Sequence, residues 1–239
     1  MCGAQLGASR RLSVRMIARF AVFPLISLFR AASYPIRARV ERPRWLSEEV
    51  QMNMAHRWFC RSARWKQTLE MQVMPWALKG IELGSNVLEV GPGPGLTTDM
   101  LRQRVTHLTC VEIDRALADS LSARMAGRNV TVLCEDATAM SLPDGNFDGA
   151  VCFTMLHHVR SPEMQDRLLA QVARVLRPGG IFVGIDSVYS HFLRLVHVFD
   201  TMVLVDPQTL EKRLESAGFV DVKVDTNPHA FRFRARRPA

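Results

Sequence analysis

The chain has 239 residues, 48% of them hydrophobic, which is enough for one α/β domain with decoration and short for two. That composition excludes a disordered or fibrous protein. The net charge of +8 is confined to one end: residues 1–45 carry nine arginines against Glu41 alone, while the remaining 22 basic and 22 acidic residues cancel. The basic character therefore belongs to an N-terminal arm, which argues against a DNA-binding or RNA-binding face on the main body.

Along the chain three regions are expected: a basic, partly apolar arm over 1–45, a helical cap segment over 46–80, and an α/β domain over 81–239. In the arm, Arg11, Arg15 and Arg19 recur every fourth residue, and Phe20–Phe29 is apolar apart from Ser27. Ten residues cannot span a bilayer, which needs about twenty. Basic residues beside Phe and Leu suit an interfacial helix, so residues 10–45 are expected to associate peripherally with an anionic membrane. A cleaved targeting peptide, or a translation start at Met16 or Met52, are the alternatives. Helical patterning then runs from about Ser47 to Leu78, with Trp58, Trp65 and Trp76, and Pro75 marks a break.

From Asn86 strands and helices alternate. Strands are expected over Val87–Val90, Leu108–Ile113, Val130–Cys134, Asp148–Thr154 and Ile181–Asp186. The intervening helices end near Leu101, Met125 and Leu176. An apolar helical stretch covers Ser187–Val205, another helix Pro207–Ala217, and two strands close the chain at Phe219–Val224 and Ala230–Arg236. Continuous apolar strands separated by helices imply a mostly parallel sheet covered on both faces. The alternation Phe231-Arg232-Phe233-Arg234 reads as a half-exposed edge strand. Cys2, Cys60, Cys110, Cys134 and Cys152 are odd in number and form no CxxC pair. They read as reduced thiols in a cytoplasmic compartment, with no metal site.

The chemistry-bearing signal is Val87-Leu88-Glu89-Val90-Gly91-Pro92-Gly93-Pro94-Gly95. Glycines at alternate positions permit a tight turn and close approach of a ligand, at the carboxyl end of a strand. A dinucleotide fingerprint would need a glycine where Leu96 stands, and the acid Glu89 favours a cationic ligand over a pyrophosphate. Glu112 ends the second strand about twenty residues on, placed to accept from ribose hydroxyls, whereas Asp114 reads as a helix N-terminal acid. Past the third strand, Asp136 is an acceptor for an adenine amino group, with the backbone of Ala137 beside the ring. The fourth strand delivers Thr154, His157 and His158 to the same edge.

Glu89 through Gly95, Glu112, Asp136-Ala137, the Phe153–His158 segment and Leu176-Arg177-Pro178-Gly179-Gly180 resemble, in order and interval, the motif set of class I S-adenosylmethionine-dependent methyltransferases. The resemblance covers roughly residues 80–225 and is closest to the branch acting on small molecules. It implies a Rossmann-like seven-stranded, mostly parallel sheet with one antiparallel strand near its end and helices on both faces. It also implies S-adenosyl-L-methionine as cofactor, held by Glu89, Gly91, Gly93, Gly95, Glu112, Ile113, Asp136, Ala137 and Thr154. Phe153-Thr154-Met155-Leu156 stands where adenine-base methyltransferases carry an Asn-Pro-Pro-Tyr motif, and there is no Pro-Cys pair, so base methylation is disfavoured.

His157 and His158 are the candidate bases for an acceptor hydroxyl or amine, with His157 preferred. The apolar segments His56–Met74 and Ser190–Val205 are expected to cap the crevice and line a pocket for a small hydrophobic or aromatic acceptor, to be O- or C-methylated. The alternative is a protein or RNA methyltransferase docking through the basic arm. A nicotinamide oxidoreductase, or a non-catalytic binding module, are the more distant readings.

Overall fold

The computed structural model describes residues 53–239. The arginine stripe, the Phe20–Phe29 run, the membrane reading and residues 46–52 of the cap segment thus lie outside the described residues. The strands are β1 (Asn86–Val90), β2 (His107–Glu112), β3 (Val130–Cys134), β4 (Phe147–Phe153), β5 (Leu176–Ser187), β6 (Val220–Thr226) and β7 (Ala230–Arg236). They form one seven-stranded sheet in the order β3-β2-β1-β4-β5-β7-β6. The first five strands pair in parallel, and β7 runs antiparallel between β5 and β6. This is the expected doubly wound sheet.

The chain moves outward from β1 to β3, then returns to place β4 on the other side of β1. Such a reversal of strand order opens a crevice at the carboxyl ends of the two central strands. Alternation along each strand builds a core on each face. Leu88, Val90, Ala150, Cys152 and Phe182 pack with the helix α6 (Pro162–Val175) and with α8 (Pro207–Ser216). Val87, Val151, Phe153, Val183 and Ile185 pack on the opposite face, with α3 (Met74–Ala77), α4 (Leu96–Leu101) and α5 (Arg115–Met125).

Three expectations are corrected. Ala230–Arg236 is an inner strand, not an edge: β5 and β6 flank it, and Phe231, Phe233 and Ala235 are buried. Its arginines mark a partly covered face rather than a free edge, and Arg232 lies over the Trp76 ring at 5.3 Å while donating to the Trp76 carbonyl at 2.5 Å. The run Ser187–Val205 is helical only in α7 (His191–Val196). The helix stops at Val196, Phe199 in the turn after it adopts φ of 63°, and the segment beyond is held by Val203 donating to the His157 carbonyl at 2.7 Å. Pro75 does not end the helix: helical turns run on through it from Ala63 to Ala77, with a π-helical turn over Leu69–Val73 immediately before it. The cap comprises α1 (Met54–Cys60), α2 (Ala63–Thr68), a π-helical turn Leu69–Val73, and α3.

Among the described residues no helix is long and apolar enough to cross a membrane. Cys60, Cys110, Cys134 and Cys152 are free thiols, Cys110 and Cys152 buried as expected.

One glycine is required by packing. A Cβ on Gly149, in β4, would stand 2.4 Å from the Leu83 carbonyl oxygen. Backbone cannot retreat as a flexible side chain can, so Gly149→Ala is expected to destabilise the fold by about 1–3 kcal/mol. Thermal melts check this; an unchanged midpoint would show that the segment before β1 moves aside freely.

Candidate active site

The glycine turn is shaped by its neighbours. Gly91 lies at φ of 65°, donates to the Val111 carbonyl at 2.9 Å, and has Met155 where a Cβ would be. Gly93, at φ of 54°, has open space there instead, and faces a large cavity. Gly95 caps α4 at φ of 81° and is closed off by Leu121 and Arg124, so it does not reach the cavity. Glu89 does not reach it either. Its side chain follows the period of Val87 onto the α4 face, where the Thr97 and Thr98 hydroxyls donate to it at 2.5 and 2.6 Å. Burial raises its pKa, opposed by those hydrogen bonds and one from Cys110. Glu89 therefore secures the helix that follows the turn.

Glu112 ends β2 as expected. Its carboxylate accepts from the backbone N–H of Gly93 and of Asp114, each at 2.9 Å. Burial raises its pKa while these hydrogen bonds pull it down. The acid thus ties the glycine turn to the next loop and keeps lone pairs toward the cavity. Asp114 caps α5 by accepting from Leu117 at 3.1 Å and pairs with Arg57 of the cap. Asp136 accepts from Thr138 at 2.8 Å and lines the cavity beside Ala137 and Ile113. Thr154 follows β4 at φ of 50°, an uncommon conformation for a branched residue, and its N–H donates to the Ile185 carbonyl at 2.7 Å.

Gly91, Gly93, Glu112, Ile113, Asp136, Ala137, Thr154, His157 and His158 are thus brought together around one cavity of about 960 Å³. Both apolar segments reach its far wall. Phe59 packs against Trp65 and Phe192, with ring centres 5.4 and 5.8 Å apart, and Leu69, Trp76, Leu193 and Val196 continue the surface.

Between the two ends lies a polar cluster that local patterns did not reveal. His157 Nδ1 donates to Asp186 at 2.5 Å, and its backbone N–H donates to the same carboxylate at 3.1 Å. Its Nε2 faces the Nε2 of His197 at 3.1 Å. His197 Nδ1 donates to the Leu193 carbonyl at 2.7 Å. Burial, then the neighbouring imidazoles His157 and His56, hold the His197 pKa down at about 4 despite that bond. Burial also holds His158 well below the usual imidazole range, with His157, His56 and His197 adding to the effect. His56 from α1 pairs with Asp200 at 2.8 Å. Asp186 had a sequence signal, an acid closing a buried apolar strand. His56 and Asp200 are 144 residues apart and had none.

The methyltransferase domain family matches residues 88–184. An uncharacterized methyltransferase of Mycobacterium tuberculosis is 31% identical over 101 residues, covering 42% of this chain and 50% of its own, so the chain spans half the length of that relative. The ubiquinone biosynthesis O-methyltransferase of Coxiella burnetii is 30% identical over 169 residues, 61% of this chain and 70% of that protein. The crystal structure of a SAM dependent methyltransferase from Aquifex aeolicus shares the fold, with a TM-score of 0.58 at 20% identity over 71% of this chain and 92% of that one. With a glycine turn, a buried carboxylate closing the second strand and a sheet order of this kind, the chain belongs to the class I S-adenosylmethionine-dependent methyltransferases. S-adenosylmethionine is the cofactor of that family, and the residues present fit it: Gly93 leaves open the space a Cβ would fill, and Glu112 offers a buried carboxylate at the cavity wall.

Proposed function

We propose that the chain transfers a methyl group from S-adenosylmethionine to an oxygen or carbon of a small hydrophobic or aromatic acceptor. The observation that carries this reading is the single cavity running from the glycine turn to the aromatic wall of Phe59, Trp65 and Phe192. Gly91, Gly93, Glu112, Ile113, Asp136, Ala137 and Thr154 would hold the cofactor, while Glu89 and Gly95 support the turn from outside the cavity. Bound there, the cofactor supplies a methyl carbon activated by its sulfonium.

The chain's own task is to align the acceptor and exclude water, which is worth roughly 7–11 kcal/mol. The cap side chains do this by enclosing an apolar acceptor. For a hydroxyl acceptor, His157 would take the proton at Nε2. Asp186, by accepting the hydrogen bond from Nδ1–H, fixes the tautomer that leaves Nε2 basic. The similarity to a ubiquinone biosynthesis O-methyltransferase supports a phenolic or quinone-like acceptor.

A methyl-transfer screen over phenols, quinones, fatty acids, peptides and RNA tests the proposal. Turnover on phenols or quinones is expected. Turnover confined to peptides or RNA would overturn it in favour of a macromolecular substrate.

Glu112→Ala is expected to weaken cofactor binding by at least about tenfold, since charge-assisted hydrogen bonds of roughly 1.5–3 kcal/mol are lost. Calorimetric titration measures this directly. The variant also frees the Gly93 N–H, so its melting curve must accompany the titration. Unchanged affinity would remove Glu112 from the site.

A further inference from the structure

We propose that His56, His158, His197 and Asp200 form a divalent metal site, of the zinc type, that clamps the cap onto the sheet. One donor atom from each of the four lies within 4.8 Å of all the others. The residues come from three segments remote in sequence: α1, the single turn after β4, and the end of α7 with the loop beyond it. Tetrahedral zinc with bonds of about 2.0–2.1 Å sets its donors about 3.4 Å apart, so the widest pair must close by up to about 1.4 Å. Rotation of imidazole and carboxylate side chains covers that range.

The hydrogen bonding of the rings is that of ligands. His197 spends its Nδ1–H on the Leu193 carbonyl, which leaves Nε2 bare. His158 bonds the backbone of Thr201, and its Nδ1 is buried with no hydrogen-bond partner. Ligating histidines commonly commit their other N–H to a carbonyl or carboxylate in this way, which fixes tautomer and ring orientation. The bare Nε2 of His197 also faces that of His157 at 3.1 Å. Asp200 completes the set with a fully buried side chain whose ion-pair partner is an imidazole.

Three imidazoles and one carboxylate suit zinc, whereas calcium and magnesium prefer all-oxygen shells. Four protein donors fill a tetrahedral shell and leave no position for a substrate. The ion would therefore hold rather than react. It would fasten α1 and the α7 loop to the end of β4, and so set the distance between Phe59 and Phe192 across the acceptor wall. Asn53 already ties the same two segments, donating to the Val196 and Val198 carbonyls at 2.8 and 2.9 Å.

The test uses full-length protein prepared without a histidine tag, stripped with a chelator, and titrated with zinc or cobalt(II). One equivalent of zinc is expected to bind and raise the melting temperature, and cobalt is expected to give the intense visible band of four-coordinate geometry. His197→Ala and Asp200→Asn should each weaken zinc binding by more than about 100-fold. His191→Ala, an exposed histidine on α7, should leave it unchanged. The melting shift caused by S-adenosylmethionine, measured in each variant, separates loss of the ion from loss of the fold. No stoichiometric zinc uptake by the wild type overturns the site, as does one equivalent retained by both variants. If neither variant folds, the wild-type cobalt spectrum decides, and a weak octahedral spectrum overturns the proposal.

Discussion

Gly93→Val is expected to abolish S-adenosylmethionine binding while the chain still folds. Gly93 lies at φ of 54°, and the place of its missing side chain is open cavity rather than protein. A Cβ there meets no protein atom within 4 Å, so the branched carbons of a valine would extend into the space left for the ligand. It would also carry the strain of a branched residue in a left-handed conformation, of order 1–3 kcal/mol. Gly93→Ala separates the two effects, since it bears backbone strain with less obstruction. Calorimetric titration with parallel melting curves should show graded loss: weakened binding in the alanine variant, none in the valine variant. Normal affinity in Gly93→Val would mean that the turn is purely structural.

The second large effect is expected at His157. If it takes the proton of an acceptor hydroxyl, His157→Ala should slow turnover by about 10²–10⁴. Cofactor affinity should hardly change, because the turn and Glu112 lie elsewhere along the cavity. Asp186→Asn should slow turnover too, through the wrong tautomer of a ring that is still present. Removing either partner leaves a buried polar group short of a hydrogen bond, so melting temperatures must be compared before rates are read. Near-normal turnover in His157→Ala with loss in His158→Ala would pass the role to His158 if the variant's zinc content is that of the wild type. Full activity in both would leave catalysis to proximity alone, as a carbon acceptor or an already ionised phenol allows.

Much of this molecule was legible because its signals are local. The run from Val87 to Gly95 states a strand, a turn and a helix within a few residues, and each link depends on near neighbours. Glu112 was legible for the same reason, as the last residue of an apolar strand at a set distance from the glycines. Apolar periodicity also separated strands from helices through most of the sheet. It failed at Ser187–Val205, where the helix stops at Val196 and the hydrogen bond from Val203 to the His157 carbonyl holds a non-helical segment that composition alone reads as helix. It failed again at Ala230–Arg236, because alternation reports which face is covered and not which strand lies beyond.

The sequence by itself determined the family, the sheet, the glycine turn and the place of Glu112 at the end of β2, since each rests on spacing within one strand-turn-helix unit. Only the tertiary structure decided that Glu89 turns away from the cavity to hold the threonines of α4. The pairing of His157 with Asp186, and the meeting of His56, His158, His197 and Asp200, were likewise decided in three dimensions. Those groups converge because a reversed strand order and a folded-over cap bring together segments up to 144 residues apart. A local pattern carries no trace of such a distance.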